Sequence, residues 1–222
     1  MIYHLEITPF RVELCGSAIS YTVGELVVIR SKEGIDLGRV IRIEKEEVDD
    51  IYGDIIRKAI ANDLEKRHEL KEYEEFCLLE LKRAVEEYKF AMKPVYAHCQ
   101  LDGERVIFYF TAQKRLEFRK LHRYISQKLD KRVVIKQIGS RDYTKLFGGI
   151  GPCGRNLCCK IFLGELKSIS LRMARDQKLY VSPSKISGIC GRLLCCLNFE
   201  EDFYTDFHRH DEYEKTPQDT DL

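Results

Sequence analysis

The chain has 222 residues, 44% of them hydrophobic and 33% charged, with 37 basic residues against 36 acidic for a net charge of +1. That is apolar content enough to bury real cores without covalent staples, and the balance is neither that of a simple nucleic-acid binder nor that of an acidic scaffold. No apolar run approaches the roughly 20 residues of a membrane-spanning helix, and the start Met-Ile-Tyr-His-Leu-Glu lacks the basic and apolar regions of a signal peptide, so a cytosolic chain is expected.

Residues 1–48 read as a small β module. Gly24-Glu-Leu-Val-Val-Ile-Arg30 and Leu37-Gly-Arg-Val-Ile-Arg-Ile43 flank a Ser31-Lys-Glu-Gly34 turn, with β-branched residues and turn chemistry where a hairpin needs them. Residues 49–92 change to a helical period, with apolar positions at Ile51, Ile55 and Ala59, then Tyr73, Cys77, Leu81, Ala84 and Tyr88; one long helix or two consecutive ones fit equally. Residues 93–142 give strand, turn, strand, helix, strand: Val95–Gln100, a Leu101-Asp-Gly103 turn, Arg105–Thr111, a helix near Arg115–Leu129, and Arg132–Ile138. With the preceding helix this makes an α-β-β-α-β unit, and the expected class is α+β. Residues 143–200 form an irregular Cys-rich segment with one amphipathic helix near Leu166–Gln177, and 201–222 an acidic tail, helical at its start.

Charge is segregated along the chain. Residues 91–200 hold 21 basic and 8 acidic side chains, a balance of +13, whereas the remainder holds 16 against 28, a balance of −12. A block that basic attracts polyanions or an acidic protein face, unless the acidic part of the same chain covers it.

The chemistry concentrates in the cysteines. Of nine, Cys15, Cys77 and Cys99 stand alone and read as small buried apolar side chains. The other six fall in two copies of one element, Pro152-Cys-Gly-Arg-Asn-Leu-Cys-Cys159 and Ile189-Cys-Gly-Arg-Leu-Leu-Cys-Cys196, six of eight positions identical at an offset of 37 and preceded by Gly151 and Gly188. In a reducing compartment such spacing is read for metal ligation or thiol chemistry rather than disulfides. Duplication of a loop suggests that the copies face one another and supply the same chemistry to a shared site. Gly154 and Gly191 let the backbone bend. Arg155 and Arg192 are placed to bind the cofactor by offsetting thiolate charge and lowering thiol pKa values, and Leu157 and Leu194 to exclude water.

A 4Fe-4S cluster takes four Cys ligands, so six thiols fall short of two clusters unless a partner supplies the rest. Zinc is the alternative metal, although its structural sites favour two separated Cys pairs; buried or redox thiols are the third reading. Catalysis by cysteine needs a base, and all six histidines, His4, His68, His98, His122, His208 and His210, lie outside the two copies. No Walker, Rossmann or zincin motif is present. The competing reading is a zinc-stabilised RNA-binding module using the basic block, with Phe108, Tyr109, Phe110, Phe118 and Tyr124 either stacking on bases or packing in the core.

At Leu146-Phe-Gly-Gly-Ile-Gly-Pro-Cys-Gly-Arg155 and Ser182-Pro-Ser-Lys-Ile-Ser-Gly-Ile-Cys-Gly-Arg-Leu-Leu-Cys-Cys-Leu197 the chain resembles the RicT/YaaT family, whose members carry the PSP-one C-terminal domain. The likeness extends to Gln137-Ile-Gly-Ser-Arg-Asp142, Phe108-Tyr-Phe-Thr111 and Gly34-Ile-Asp-Leu-Gly-Arg-Val40, covering most of residues 20–200. The resemblance implies a non-enzymatic regulatory subunit that assembles with YlbF-like and YmcA-like small helical proteins, holds 4Fe-4S clusters in the complex, and supports mRNA maturation by RNase Y. Carried over residue by residue, the implied ligands are Cys153, Cys158, Cys159, Cys190, Cys195 and Cys196.

Overall fold

The computed structural model describes residues 1–44, 51–114, 116–163, 168–179 and 182–204. The chain divides into two compact units, Met1–Ile138 and Gly139–Leu222. The boundary precedes the one expected at 142, so the Gly-Ser-Arg-Asp stretch belongs with the cysteines.

In the first unit, β1 (Ile2–Thr8), β2 (Arg11–Gly16), β3 (Leu26–Ser31), β4 (Gly34–Glu44) and β5 (Gly53–Lys58) close into a barrel in the order β1-β2-β5-β3-β4. Closure leaves no strand edge free to pair with other chains. The expected hairpin is β3–β4, with Ser31 opposite Gly34. Alternation sends Val27 and Ile29 inward to meet Tyr3, Leu5, Cys15, Val40 and Ile55. The helical reading of Ile51, Ile55 and Ala59 is corrected here: residues 53–58 form β5, pairing antiparallel with β3 and parallel with β2. This strand contributes a single core residue, Ile55, too sparse a pattern for period-two alternation to declare itself. Gly53 is what permits the pairing, since a Cβ there would lie 2.4 Å from the Arg30 carbonyl oxygen.

One helix follows, not two. α1 (Ala61–Glu87) runs for 27 residues, about 40 Å at the usual rise. Asp63 fixes its start by accepting the Ile60 N–H at 2.9 Å and pairing with Arg57. Its apolar stripe, Cys77, Leu81, Ala84 and Val85, packs on a three-stranded sheet of β6 (Lys93–Cys99), β7 (Arg105–Thr111) and β8 (Arg132–Gln137) in the order β6-β7-β8. α2 (Arg119–Leu129) is the crossover that lets β8 run parallel to β7, and it adds Leu121, Ile125 and Leu129 to the same core. This is the expected α-β-β-α-β arrangement, with the second helix starting at Arg119; Arg115, where that helix was expected to begin, lies outside the described residues.

The central strand β7 is covered on both faces. Val106, Phe108 and Phe110 face the helices, while Tyr109 lies against β1 and the following turn, its hydroxyl 3.4 Å from Thr8 Oγ1 and its ring 4.8 Å from that of Phe10. Phe108, Tyr109 and Phe110 are 0–2% exposed, and Phe118 and Tyr124 pack edge-on against Phe110 and Tyr88. Three of the rings proposed to stack on bases are therefore core rings, and Phe118 and Tyr124 are partly buried against the same core. Cys15, Cys77 and Cys99 are buried as expected.

The second unit holds short elements: α3 (Ser140–Phe147), α4 (Cys158–Ile161), α5 (Leu171–Asp176), α6 (Pro183–Ile186) and α7 (Cys196–Phe199). A small core of Met173, Ala174, Ile186 and Leu197, backed by Ile169, Leu193 and Leu194, ties α5, α6 and α7 together. α5 is the inter-repeat helix, shorter than expected; Leu166, where it was expected to begin, is outside the described residues. Residues 201–204 add a helical turn, and the rest of the acidic tail lies outside the described residues. Among the described residues no helix is long and apolar enough to cross a membrane.

Candidate metal-thiolate site

The two cysteine elements fold alike. In the first, the Gly151 N–H donates to the Arg155 carbonyl at 2.8 Å and the Gly154 N–H to the Gly151 carbonyl at 3.0 Å; in the second, Gly188 donates to Arg192 at 2.8 Å and Gly191 to Gly188 at 2.9 Å. Both are three-residue hairpin loops closed by an isolated bridge, Ile150 with Asn156 and Ser187 with Leu193, again 37 residues apart. The third loop residue takes a left-handed conformation, with φ of 78° at Gly154 and 73° at Gly191. A Cβ at either glycine would meet nothing within 4 Å. Backbone conformation alone therefore selects glycine here. Each loop presents its first cysteine, and the vicinal pair follows at the start of a one-turn helix, α4 or α7.

The copies converge. One cavity of about 290 Å³ is lined by all six cysteines, Cys153, Cys158, Cys159, Cys190, Cys195 and Cys196, together with Leu157 and Leu194. Cys158 and Cys195, one from each element, are close enough to perturb one another, Cys195 adding to the upward shift of the Cys158 thiol. The expectation that the repeats face one another is met.

The arginines behave otherwise than expected. Arg155 is exposed, Arg192 directs its Nε–H to Ser140 Oγ at 3.1 Å, and neither lines the thiol cavity. The backbone carbonyls of both close the hairpins. Nor are the shifted thiols lowered: burial pushes Cys158, Cys159 and Cys196 upward, the last to about 11, and the neighbouring sulfurs add to the rise. The cation that opposes this at Cys159 is Arg141, from the first turn of α3. Sequence reasoning gave Arg141 no role, although it lies within Gln137-Ile-Gly-Ser-Arg-Asp142. Lys185 is the other described cation at the cavity wall.

Thiols held protonated by burial and by one another would need a neutralising cation to ionise together. Among the described residues no three His, Cys, Asp or Glu side chains converge on a point that one ion could occupy. A four-iron cluster binds its thiolates at separate corners and tetrahedral zinc needs four donors about 2.3 Å from one centre; the six thiols that line the cavity supply donors enough for either. No histidine among the described residues lines the cavity.

Comparison with known proteins gives the chain its relatives. Residues 53–138, from β5 to the end of the sheet unit, match the PSP1 C-terminal conserved region, and residues 168–211, including the second cysteine element, match the third domain of PSP1-like proteins. The stage 0 sporulation protein YaaT of Bacillus subtilis (strain 168) is 39% identical over 186 residues, an alignment covering 80% of this chain and 66% of that protein. The chain thus spans just under two thirds of its relative's length. No solved structure matches. With PSP1-family matches on the sheet unit and on the second cysteine element, and a close relative aligned across most of its length, the chain belongs to the RicT/YaaT family of PSP1-domain proteins.

Proposed function

We propose that this protein is a non-catalytic regulatory subunit that binds a 4Fe-4S cluster and works in a complex with YlbF-like and YmcA-like small helical proteins to support RNase Y-dependent mRNA maturation. The observation that carries the reading is the single cavity walled by six thiols from two copies of one hairpin-and-helix element. A duplicated loop that delivers its cysteines to a shared hollow serves a polynuclear centre better than a single ion. A regulatory role is supported by the relative's name as a stage 0 sporulation protein. When bound, the cluster supplies a polyanionic, oxygen-sensitive centre that fixes the second unit. One cluster uses four thiols and leaves two, so a second requires ligands from a partner.

The zinc-stabilised RNA-binding alternative is less well supported, because three of its stacking rings, Phe108, Tyr109 and Phe110, are buried in the first unit. Apolar side chains exposed on the cysteine unit, Phe147, Ile150, Ile161, Phe162 and Phe199, are 54–68% exposed and offer a partner an apolar surface. Iron per chain, measured anaerobically alone and with YlbF-like and YmcA-like partners, tests the reading. Occupancy below one cluster that rises and resists air in the complex is expected. Full, air-stable iron unaffected by the partners would remove the case for shared ligation.

A further inference from the structure

We infer that Arg141 donates an N–H to a sulfur of the bound cluster and balances its charge; the inference rests on the cluster reading above. Arg141 stands on α3, outside both cysteine elements, yet it lines the cavity together with all six thiols. Its guanidinium is anchored by one N–H to the Leu193 carbonyl at 2.8 Å, and Leu193 is the bridge residue of the second hairpin. The side chain is thus registered against the loop that presents Cys190. Its Nε is buried and lacks a hydrogen-bond partner.

A guanidinium N–H left without an acceptor in the interior is costly, and such groups mark places where an acceptor arrives with a ligand. The acceptor that suits this place is anionic sulfur. Four thiolates on an iron-sulfur core carry net negative charge, and hydrogen bonds to the sulfurs, together with nearby charge, set the reduction potential. A delocalised, weakly hydrated guanidinium meets that need inside a protein better than an ammonium does. The other arginines near the repeats are not available for it: Arg192 is held by Ser140, and Arg155 is exposed.

The full chain, reconstituted anaerobically with iron and sulfide, is compared as wild type, Arg141→Met, Arg141→Lys and Arg155→Met, by iron and sulfide content and by potential titration followed by electron paramagnetic resonance. Loss of the positive charge disfavours the reduced cluster. Arg141→Met should shift the reduced-to-oxidised ratio at fixed potential by about tenfold toward oxidised, a fall of about 59 mV for a one-electron couple. Arg141→Lys should fall between that and wild type, and Arg155→Met should match wild type. A loaded Arg141→Met with unchanged potential overturns the assignment while leaving the cluster in place. Should Arg141→Met fail to fold, Arg141→Lys decides, because a potential identical to wild type overturns the donor role. Absence of iron and sulfide from the wild-type chain overturns the cluster reading, and this inference with it.

Discussion

At the scale of single residues, the Cys-Gly-Arg element divides its labour between backbone and side chains. Cysteine delivers sulfur, glycine supplies a backbone conformation, and the carbonyl at the arginine position closes the hairpin. Cysteine and glycine were legible from sequence, because sulfur chemistry and positive φ are intrinsic to residue type. The arginine was misread because proximity in sequence was taken for proximity of charge, whereas a hairpin turns the side chain after it away. Arg141 was invisible as a site residue for the converse reason, being brought in by α3 from outside the repeats. The turn reading makes a sharp prediction. Gly191→Ala places a Cβ in the left-handed region at φ 73° and should cost about 1–2 kcal/mol in the second unit, with loss of bound iron. Gly191→Asn, which tolerates that region, should lose much less. Equal iron in all three, with equal melting, would show that the loop conformation is not what the glycine is for.

At the scale of elements, the hairpin β3–β4 and the α-β-β-α-β unit were readable because alternation and helical period run long enough to declare themselves. β5 was not, since one inward residue and a glycine defined by the strand it approaches leave no pattern. Sequence likewise gave no sign of the contact that holds β4, β6 and α1 together: His98 on β6, 2% exposed, lies 2.8 Å from Asp36 Oδ2 on β4 and 3.3 Å from Glu74 Oε1 on α1. Arg67 pairs with Glu74 from one side and Arg11 lies 3.9 Å from Asp36 on the other. Burial opposes charge on His98, but Asp36 and Glu74 outweigh it and raise its pKa. A raised histidine pKa stabilises fully below the unfolded value of about 6.5 and ceases to do so as pH climbs through the folded value. Urea unfolding of the first unit should therefore show stability declining above about pH 6.5, a slope that His98→Gln flattens while costing about 3–5 kcal/mol through the stranded carboxylates. An unchanged slope in His98→Gln would assign the dependence elsewhere. Glu74 acts in the opposite sense, its pKa held low by His98 and Arg67 against burial, so its contribution is lost in acid.

At the scale of the whole molecule, the two units rest on different physics. Met1–Ile138 owns a barrel core and a helix-on-sheet core, whereas among its described residues the cysteine unit shows one small buried cluster, Met173, Ala174, Ile186 and Leu197. A small apolar cluster gains from any ligand that binds only the folded unit, as a metal does in metal-coupled folding. Composition foretold the first unit; it could say of the second only that periodic packing does not shape it. The central claim is that thiols drawn from both repeats hold one iron-sulfur centre, and iron and acid-labile sulfide per anaerobically reconstituted chain test it most directly, in wild type, Cys153→Ser and Cys190→Ser. The account predicts iron and sulfide in equal amounts in wild type and a fall of both in at least one substitution within each repeat, extended to Cys158, Cys159, Cys195 and Cys196. Zinc without sulfide, or a cluster indifferent to every substitution in one of the two repeats, would contradict it.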